Sequence, residues 1–257
     1  MPPRHPPQNA TSRFSNRVAD YLRYRPGYPE GVLTLMRDRG WLKRGAQVAD
    51  IGSGTGIFSR LLLDAGAEVF AVEPNTGMRE AGEAMLAHQA LFHSIAASGE
   101  ETTLADQSMD LIVSAQAFHW LDRARARSEF TRLLKPGGRI VLIWNVRQTA
   151  STPFLRDYEN LLLHFAPDYA QVRHENVDAE ALAGFFIGGV FEKHVFANRQ
   201  CFDFSGLRGR LLSCSYAPAP GHSLHEPMIQ ELQRLFEVHE QNGSITFLYT
   251  TEVFIGR

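Results

Sequence analysis

A glycine-rich turn, followed about 20 residues later by a glutamate, is the part of the sequence with the clearest chemical use. The turn reads Gly-Ser-Gly-Thr-Gly over residues 52–56 and follows a short apolar run at 47–51. Glycines let the backbone turn tightly and approach a ligand closely. Glu73 ends the next apolar run, where a carboxylate can accept hydrogen bonds from both hydroxyls of a ribose. The pattern therefore predicts a nucleoside-binding loop.

The spacing of the glycines distinguishes between kinds of nucleotide loop. Dinucleotide loops read Gly-x-Gly-x-x-Gly, whereas the third glycine of that pattern is replaced here by Ile57, which weakens a dehydrogenase interpretation. A Walker loop ends in Gly-Lys-Ser or Gly-Lys-Thr, and no lysine follows these glycines. A nucleoside without a diphosphate is therefore the favoured ligand. Asp50, just before the turn, is expected to fix the loop or to reach a ligand ammonium group through water.

Alternating strands and helices surround this loop and must position it. Helices are predicted at 15–24, 30–39, 57–65, 76–87 and 122–134, and strands at 47–51, 68–72, 91–96, 110–114 and 139–145. Such alternation indicates an α/β fold with a doubly wound parallel sheet. Two later β-rich stretches, 191–204 and 244–255, are expected to complete seven strands through helices near 206–213 and 226–240. The predicted sheet is therefore mostly parallel and seven-stranded.

The chain is predicted to form a single domain, because no linker signal supports a division near residue 150. Its predicted parts are a proline-rich flexible tail (1–12), a helical cap (13–40), a ligand-binding core (41–148), and a helical insertion with the last two strands (149–257). Residues 135–138, Lys-Pro-Gly-Gly, are predicted as a turn before the fifth strand.

Composition and charge limit the classes of partner that the chain is expected to bind. The 257 residues contain 26 Lys and Arg against 28 Asp and Glu, so no electrostatic reason exists to expect a nucleic-acid partner. No apolar run approaches the roughly 20 residues that span a bilayer, so no membrane partner is predicted. Two cysteines are compatible with a reducing compartment, and the N-terminus lacks the apolar stretch of a signal peptide. The cytoplasm is the expected location.

The motifs around the turn resemble those of the class I methyltransferases that use S-adenosyl-L-methionine. The segments that carry the resemblance are 50–56 with 72–74, 98–113, 114–120, 134–138, and a stretch from Arg13 through Tyr21 to Pro29. The last of these resembles the cap of small-molecule members, the "type 11" branch that includes trans-aconitate methyltransferase-like proteins. The resemblance covers about residues 14–145. It implies a Rossmann-like methyltransferase fold and transfer of a methyl group to a small-molecule acceptor, with S-adenosyl-L-homocysteine as product.

The resemblance also implies roles for individual residues. The glycines would pass near the methionine and ribose portions of the cofactor, and Glu73 would hold the ribose hydroxyls. The predicted cofactor-binding residues are Tyr21, Asp50, Gly52, Ser53, Gly54, Gly56, Glu73, Pro74, Met78, Ser98, Gly99, Glu100, Gln116 and Ala117. The sequence departs from the family at Gly99, where the adenine-side pair usually reads Ala-Glu.

The predicted chemistry is an in-line displacement at the methyl carbon of a sulfonium. Alignment of the reactants and exclusion of water should supply most of the acceleration, because well-oriented reactants can gain roughly 7–11 kcal/mol. The predicted acceptor-pocket residues are Tyr24, Arg25, Tyr28, Phe118, Trp120, Trp144 and Asn145. His119 is the candidate general base if the acceptor is a weak acid. If the acceptor is a carboxylate, Arg25 or His119 would bind it instead, and otherwise His119 would shape the pocket.

Other functions are weighed against this prediction. A non-catalytic module that binds S-adenosylmethionine is left open, because no residue of the transfer step is obligatory. Methylation of nucleic acid is weakened by Gln-Ala-Phe-His at 116–119, where base-methylating enzymes often carry Asn/Asp-Pro-Pro-aromatic. His222 and His225 lack a completing set of ligands, so no metal site is predicted. The acceptor, the methylated atom type and the oligomeric state are left open.

Overall fold

A seven-stranded sheet forms the centre of the computed structural model, which describes residues 23–167, 169, 179–214 and 216–257. Its strands are β1 (Gln47–Ile51), β2 (Glu68–Val72), β3 (Phe92–Ile95), β4 (Met109–Ala115), β5 (Leu134–Arg147), β6 (Phe191–Phe202) and β7 (Ile245–Gly256). Their order is β3-β2-β1-β4-β5-β7-β6. The first five strands are parallel, and β7 lies antiparallel between β5 and β6. The predicted mostly parallel α/β sheet is confirmed.

Helices connect these strands. The described helices are α1 (Glu30–Asp38), α2 (Ile57–Asp64), α3 (Thr76–Leu86), α4 (Arg123–Leu133), α5 (Pro153–Phe165), α6 (Ala179–Phe185), α7 (Phe204–Leu212) and α8 (His225–His239). The helix predicted at 30–39 is present as α1. Most of the helix predicted at 15–24 lies outside the described residues, together with Tyr21 and the predicted tail at 1–12. None of the described helices has the length and apolar character to cross a bilayer.

The central strands are buried on both faces, which is why they read as nearly continuous apolar runs. Val48 and Leu111 pack with Phe58 of α2 and with α1 on one face of the sheet. Ile51 and Ile112 pack with helix α4 on the other face of the sheet. Because both faces are covered, the strands form a rigid base for the loops that follow them.

The order of the strands creates a crevice beside β1. The chain runs from β1 to β2 and β3 on one side, and then returns to β4 on the other side of β1. In such sheets, ligands bind outside the carboxyl ends of the strands at the point where the order reverses. The glycine turn at 52–56 follows β1 at that point.

The fifth strand differs from the prediction at both ends. Met109 pairs with Leu134 and Leu111 pairs with Arg139, so residues 135–138 bulge from the ladder inside β5. Gly137 has a φ of 88°, which suits glycine. The predicted turn is therefore a bulge within a strand. The strand also continues to Arg147, two positions beyond the predicted end, which brings that arginine to the ligand-binding edge.

The last third of the chain packs at the other end of the sheet. Helices α5 and α8 enclose a second apolar cluster, in which Tyr158, Leu162 and Leu232 surround Phe247 of β7. Asp203 caps the N-terminus of helix α7, where its side chain accepts a hydrogen bond from the Gly206 N–H at 2.7 Å. These helices close the side of the ligand-binding edge that lies over β5 and β7.

Candidate active site

A cavity of about 690 Å³ opens at the carboxyl ends of the central strands. The predicted cofactor residues that line it are Asp50, Gly52, Ser53, Gly54, Glu73, Pro74, Met78, Ser98, Gly99, Glu100, Gln116 and Ala117. The predicted acceptor-side residues that line it are Arg25, Tyr28, His119, Trp120 and Asn145. These residues come from the ends of five strands and from the segment before α1, so the fold brings together residues that are distant along the chain.

The glycine turn has the conformation that its sequence requires. Gly52 and Gly54 have φ values of 70° and 57°, in the left-handed region that favours glycine. A Cβ at Gly52 would lie 2.3 Å from the Cβ of Ala117, so glycine is needed for close approach of the β1 and β4 loops. At Gly54 the nearest atom would be Met78 Cε at 3.9 Å, which leaves room above the turn.

Gly56 has a different position from the other two glycines. It does not line the cavity, and a Cβ there would lie 2.7 Å from Leu86 Cδ1 at the end of α3. Its φ of 81° places it at the N-terminal end of α2. The structure therefore shows a packing contact for Gly56, and its predicted contact with the cofactor stays a prediction.

Glu73 ties the glycine turn to the start of α3. Its Oε2 accepts a hydrogen bond from the Gly54 N–H at 2.9 Å, and its Oε1 accepts one from the Asn75 N–H at 2.8 Å. The residue is 8% exposed, and burial raises its pKa although both backbone N–H groups oppose this shift. Each carboxylate oxygen retains capacity for a further hydrogen bond. The side chain can therefore accept from a ligand diol while it holds the turn.

Asp50 is a second buried carboxylate at the same edge. The Ser59 hydroxyl donates to its Oδ2 at 2.6 Å, whereas its Oδ1 has no hydrogen-bond partner among the described residues. Burial, together with the charge of Glu73, raises the pKa of Asp50 to about 7. A buried acceptor without a partner is costly. A hydrogen-bond donor on a ligand would remove this cost.

The raised pKa of Asp50 has a testable effect on stability. The folded state holds the proton of this carboxyl more tightly than the unfolded state, whose pKa is near 3.8. Asp50 is therefore expected to lower the free energy of unfolding as the pH rises from about 4 to about 7. Between pH 5 and pH 8 this contribution is about 2–3 kcal/mol. Urea unfolding should show that the wild type loses this much stability relative to Asp50→Asn, and parallel pH profiles would contradict it.

The loop after β4 is held in an unusual conformation. Gln116 has a φ of 60°, which is uncommon for a residue other than glycine. Its backbone N–H donates to the Ile143 carbonyl at 2.8 Å, and its Nε2 donates to the Asn145 carbonyl at 3.1 Å. Its Oε1 is buried without a partner among the described residues. This amide oxygen is a second acceptor suited to a ligand donor.

The segment before α1 is fastened over the end of β5. Asn145 Nδ2 donates to the Gly27 carbonyl at 3.1 Å, and Asn198 Nδ2 donates to the same carbonyl at 2.9 Å. Thr251 Oγ1 in turn donates to Asn145 Oδ1 at 2.6 Å. These contacts bring Arg25 and Tyr28 to the cavity wall.

His119 lies in a 3₁₀ turn, Phe118–Trp120, that follows β4. It is half-buried and lines the cavity, and the centroid of its ring lies 4.8 Å from that of Trp120. The position allows contact with an acceptor. Its role as a general base stays a prediction.

Three predicted pocket residues lie elsewhere. Phe118 is fully buried and Trp144 is 3% exposed, and both pack in the apolar cluster beneath the sheet edge. Tyr24 packs against α7, where a Cβ at Gly209 would lie 2.0 Å from the tyrosine ring. None of the three lines the cavity. Aromatic residues suit a core as well as a pocket, so residue type did not separate the two.

The structure gives a physical reason for the departure at Gly99. A Cβ at this position would lie 2.6 Å from Ile51 Cγ2 and 2.9 Å from Leu121 Cδ2. The space that an alanine methyl would need is therefore filled by the protein itself. Glu100, its neighbour, accepts a hydrogen bond from the Asp122 N–H at 2.8 Å, which joins this loop to the start of α4.

Sequence reasoning missed the far end of the cavity. The residues there are Arg147, Tyr169, Arg210, Tyr216, Tyr249 and Glu252. Arg147 had a signal, since it is a polar residue at the carboxyl end of a central strand. Arg210 and Tyr249 had none, because only the antiparallel insertion of β7 brings them to this edge.

Comparisons with known proteins agree with this geometry. Residues 49–142 match the sequence family described as a methyltransferase domain. An uncharacterized methyltransferase of Mycobacterium tuberculosis is 38% identical over 136 residues, which cover 52% of this chain and 52% of that protein. The chain thus spans about half the length of this and similar curated relatives.

Solved structures show the same fold. A protein assigned as a type II methyltransferase from Anaeromyxobacter dehalogenans has a TM-score of 0.66 at 22% identity, over 91% of this chain and 98% of that one. A phosphoethanolamine N-methyltransferase of Haemonchus contortus, solved with phosphomonomethylethanolamine and S-adenosylhomocysteine, has a TM-score of 0.56 at 16% identity, over 96% of this chain and 58% of that one. Residues 49–142 thus resemble a methyltransferase domain, and the chain shares the fold of these solved structures.

Proposed function

We propose that the chain transfers a methyl group from S-adenosylmethionine to a small-molecule acceptor. The observation that carries the proposal is the pair of buried carboxylates at the cavity edge. Glu73 holds the glycine turn and can accept from a diol, and Asp50 Oδ1 lacks a partner among the described residues. A nucleoside with a free ribose and an ammonium group matches both acceptors. The H. contortus structure, which contains the demethylated product, supports the same donor.

The residues around the cavity supply the remaining contacts of the proposed donor site. Pro74 and Met78 offer apolar surface for the adenine, and the loop 98–100 borders its edge. The turn at 52–56 offers backbone without side chains to the ribose and methionine portions. Met78 N–H donates to Asn75 Oδ1 at 3.0 Å, which fixes the start of α3 beneath this surface. The site can thus be formed before a ligand binds.

The donor supplies an electrophilic methyl group on a sulfonium. The protein is proposed to align this group with the acceptor and to exclude water, because a group whose charge disappears in the transition state gains nothing from strong stabilisation of that charge. Gln116 and Ala117, at the tip of β4, are proposed to lie beside the reacting centre. His119 is proposed to accept a proton where the acceptor is a weak acid.

Methyl transfer can be tested with methyl-labelled S-adenosylmethionine and the small-molecule fraction of a cell extract. We expect label in one or a few small molecules, and Glu73→Ala should abolish it. Binding of S-adenosylhomocysteine without transfer of label would instead favour a non-catalytic binding module. Label in nucleic acid would contradict the proposed acceptor class, and no binding of the product would contradict the donor.

The family branch, the number of domains and the location are proposed from the sequence. The trans-aconitate-like branch stays a prediction, since the family match extends only to the methyltransferase domain. We propose a single domain, supported by the strands of the last third joining the same sheet. The cytoplasm is the proposed location, on the cysteine content of the sequence alone.

A further inference from the structure

The cavity has an acidic end and a basic end. Asp50 and Glu73 line it at the tips of β1 and β2, whereas Arg147 and Arg210 line it near the ends of β5 and β7. Neighbouring strands lie about 4.8 Å apart, and β4 separates β1 from β5. The tips of β1 and β5 are therefore about 10 Å apart. The basic end is not accounted for by the proposed contacts to a nucleoside at the acidic end.

Arg210 is a buried cation without a carboxylate partner. It is 6% exposed, its Nε donates to Tyr249 Oη at 3.2 Å, and its Nη1 donates to Cys214 Sγ at 2.9 Å. No carboxylate among the described residues forms an ion pair with it. Removing a charge from water costs several kcal/mol unless a partner compensates. An anion bound in the cavity would provide that compensation.

Arg147 is paired, but incompletely. Only 10% of its side chain is exposed, and its Nη2 donates to Glu159 Oε2 and to Tyr169 Oη. The Tyr169 hydroxyl donates to the same Glu159 oxygen at 2.8 Å. The second terminal nitrogen, Nη1, is buried without a hydrogen-bond partner among the described residues. One carboxylate thus faces this arginine, and one of its donors is left for another acceptor.

Cys214 offsets only part of the positive charge. Burial favours the neutral thiol, but Arg210 and Arg25 favour the thiolate more strongly and lower the pKa of Cys214 to about 7. Near neutral pH the sulfur therefore carries part of a negative charge. Glu252 also lines this end, but it pairs with Lys193 at 2.7 Å. Among the described residues, Glu159 and the partial charge on Cys214 therefore oppose Arg147 and Arg210, which leaves this end net positive.

We propose that the basic end binds an anionic group of the methyl acceptor, a carboxylate or a phosphate, through Arg147 and Arg210. This inference rests on the proposed methyl transfer. Arginine suits both anions because its planar group can donate two hydrogen bonds at once. Burial raises the pKa of Tyr216, which also lines this end, so its hydroxyl stays protonated. The acceptor is therefore a small anion rather than a neutral or cationic molecule.

The position of the basic end also limits the size of the acceptor. Gln116 and His119 follow β4, the strand next to β5. The atom that receives the methyl group is expected over β4, one to two strand spacings, or roughly 5–10 Å, from the anionic group. A molecule of a few carbon atoms spans this distance.

The test compares wild type with Arg210→Met and with Arg208→Met as the matched control. Arg208 lies on the same helix but is exposed. Succinate and inorganic phosphate are titrated separately, at ionic strength held constant with sodium chloride and with saturating S-adenosylhomocysteine. Binding is followed by calorimetry and by the shift in Tm. We expect one of the two anions to bind wild type and Arg208→Met saturably, with at least a tenfold (about 1.4 kcal/mol) higher Kd in Arg210→Met. The anion that binds shows whether the anionic group of the acceptor is a carboxylate or a phosphate.

Arg147→Lys provides a second variant in case Arg210→Met does not fold. Lysine keeps a positive charge beside Glu159 but lacks the planar pair of donors. Arg147→Lys should raise the Kd for the same anion at least about tenfold, while S-adenosylhomocysteine binds as it does to wild type.

Three results would overturn the inference. One is that neither anion saturates wild type although S-adenosylhomocysteine binds. A second is that the folded arginine variants bind the anion as wild type does. A third is that Arg210→Met lowers the affinity for S-adenosylhomocysteine as much as the affinity for the anion, which would place the arginine in the donor site. If S-adenosylhomocysteine itself does not bind wild type, the proposed function fails first, and the anion titrations are then read in its absence.

Discussion

Replacement of Glu73 by alanine is expected to raise the Kd for S-adenosylhomocysteine by at least about 100-fold, measured by calorimetry. Two effects add. The variant loses a charged acceptor for the ribose hydroxyls, and hydrogen bonds to charged groups contribute about 1.5–3 kcal/mol each. It also releases the Gly54 and Asn75 N–H groups that the carboxylate holds at 2.9 and 2.8 Å, so the turn loses its fixed shape.

Glu80→Ala is the matched control for this prediction. Glu80 lies on α3, close to Glu73 along the chain, but its side chain is exposed and does not line the cavity. It should bind S-adenosylhomocysteine as wild type does. Equal affinities of Glu73→Ala and Glu80→Ala would remove the ribose contact from the account.

Replacement of Gly52 by alanine is expected to lower the free energy of unfolding by about 3–5 kcal/mol and to abolish binding of S-adenosylhomocysteine. The left-handed φ of 70° costs an alanine about 1–2 kcal/mol. The new methyl group would also lie 2.3 Å from Ala117 Cβ, so the loops after β1 and β4 must separate. This movement displaces the neighbouring Gln116 at the proposed reacting centre. Urea unfolding and calorimetry measure the two effects.

Gly45→Ala separates the strain of the backbone from the contact. Gly45 has a φ of 76°, but a Cβ there would meet nothing within 4 Å. This variant should lose only the roughly 1–2 kcal/mol of the left-handed conformation and should bind S-adenosylhomocysteine normally. If Gly52→Ala were no less stable than Gly45→Ala, the close approach of the two loops would not be needed.

The residues of the proposed donor side could be predicted from the sequence because their signals are local. The turn at 52–56 and the glutamate at 73 each follow a strand directly, and parallel strands bring their carboxyl ends to one edge. Because both features follow parallel strands, their positions along the chain indicated that they lie at the same edge of the sheet. Gly56 also packs against α3, since a glycine in a turn can serve packing as well as a ligand.

The residues of the proposed acceptor side were less predictable because they come together only through tertiary structure. Phe118 and Trp144 have the residue types of a pocket wall, but the chain uses them as core. Arg210 and Tyr249 meet Arg147 because β7 runs antiparallel to β5, with Tyr249 opposite Arg147. No spacing along the chain encodes that pairing. The basic end of the cavity was therefore visible only in the structure.

A crystal structure of the protein with S-adenosylhomocysteine tests the central claim most directly. We expect both ribose hydroxyls within hydrogen-bond distance of the Glu73 carboxylate and the ammonium group near Asp50 Oδ1, directly or through one water. A nucleoside bound away from Glu73, or a ribose that faces the arginines instead, would contradict it.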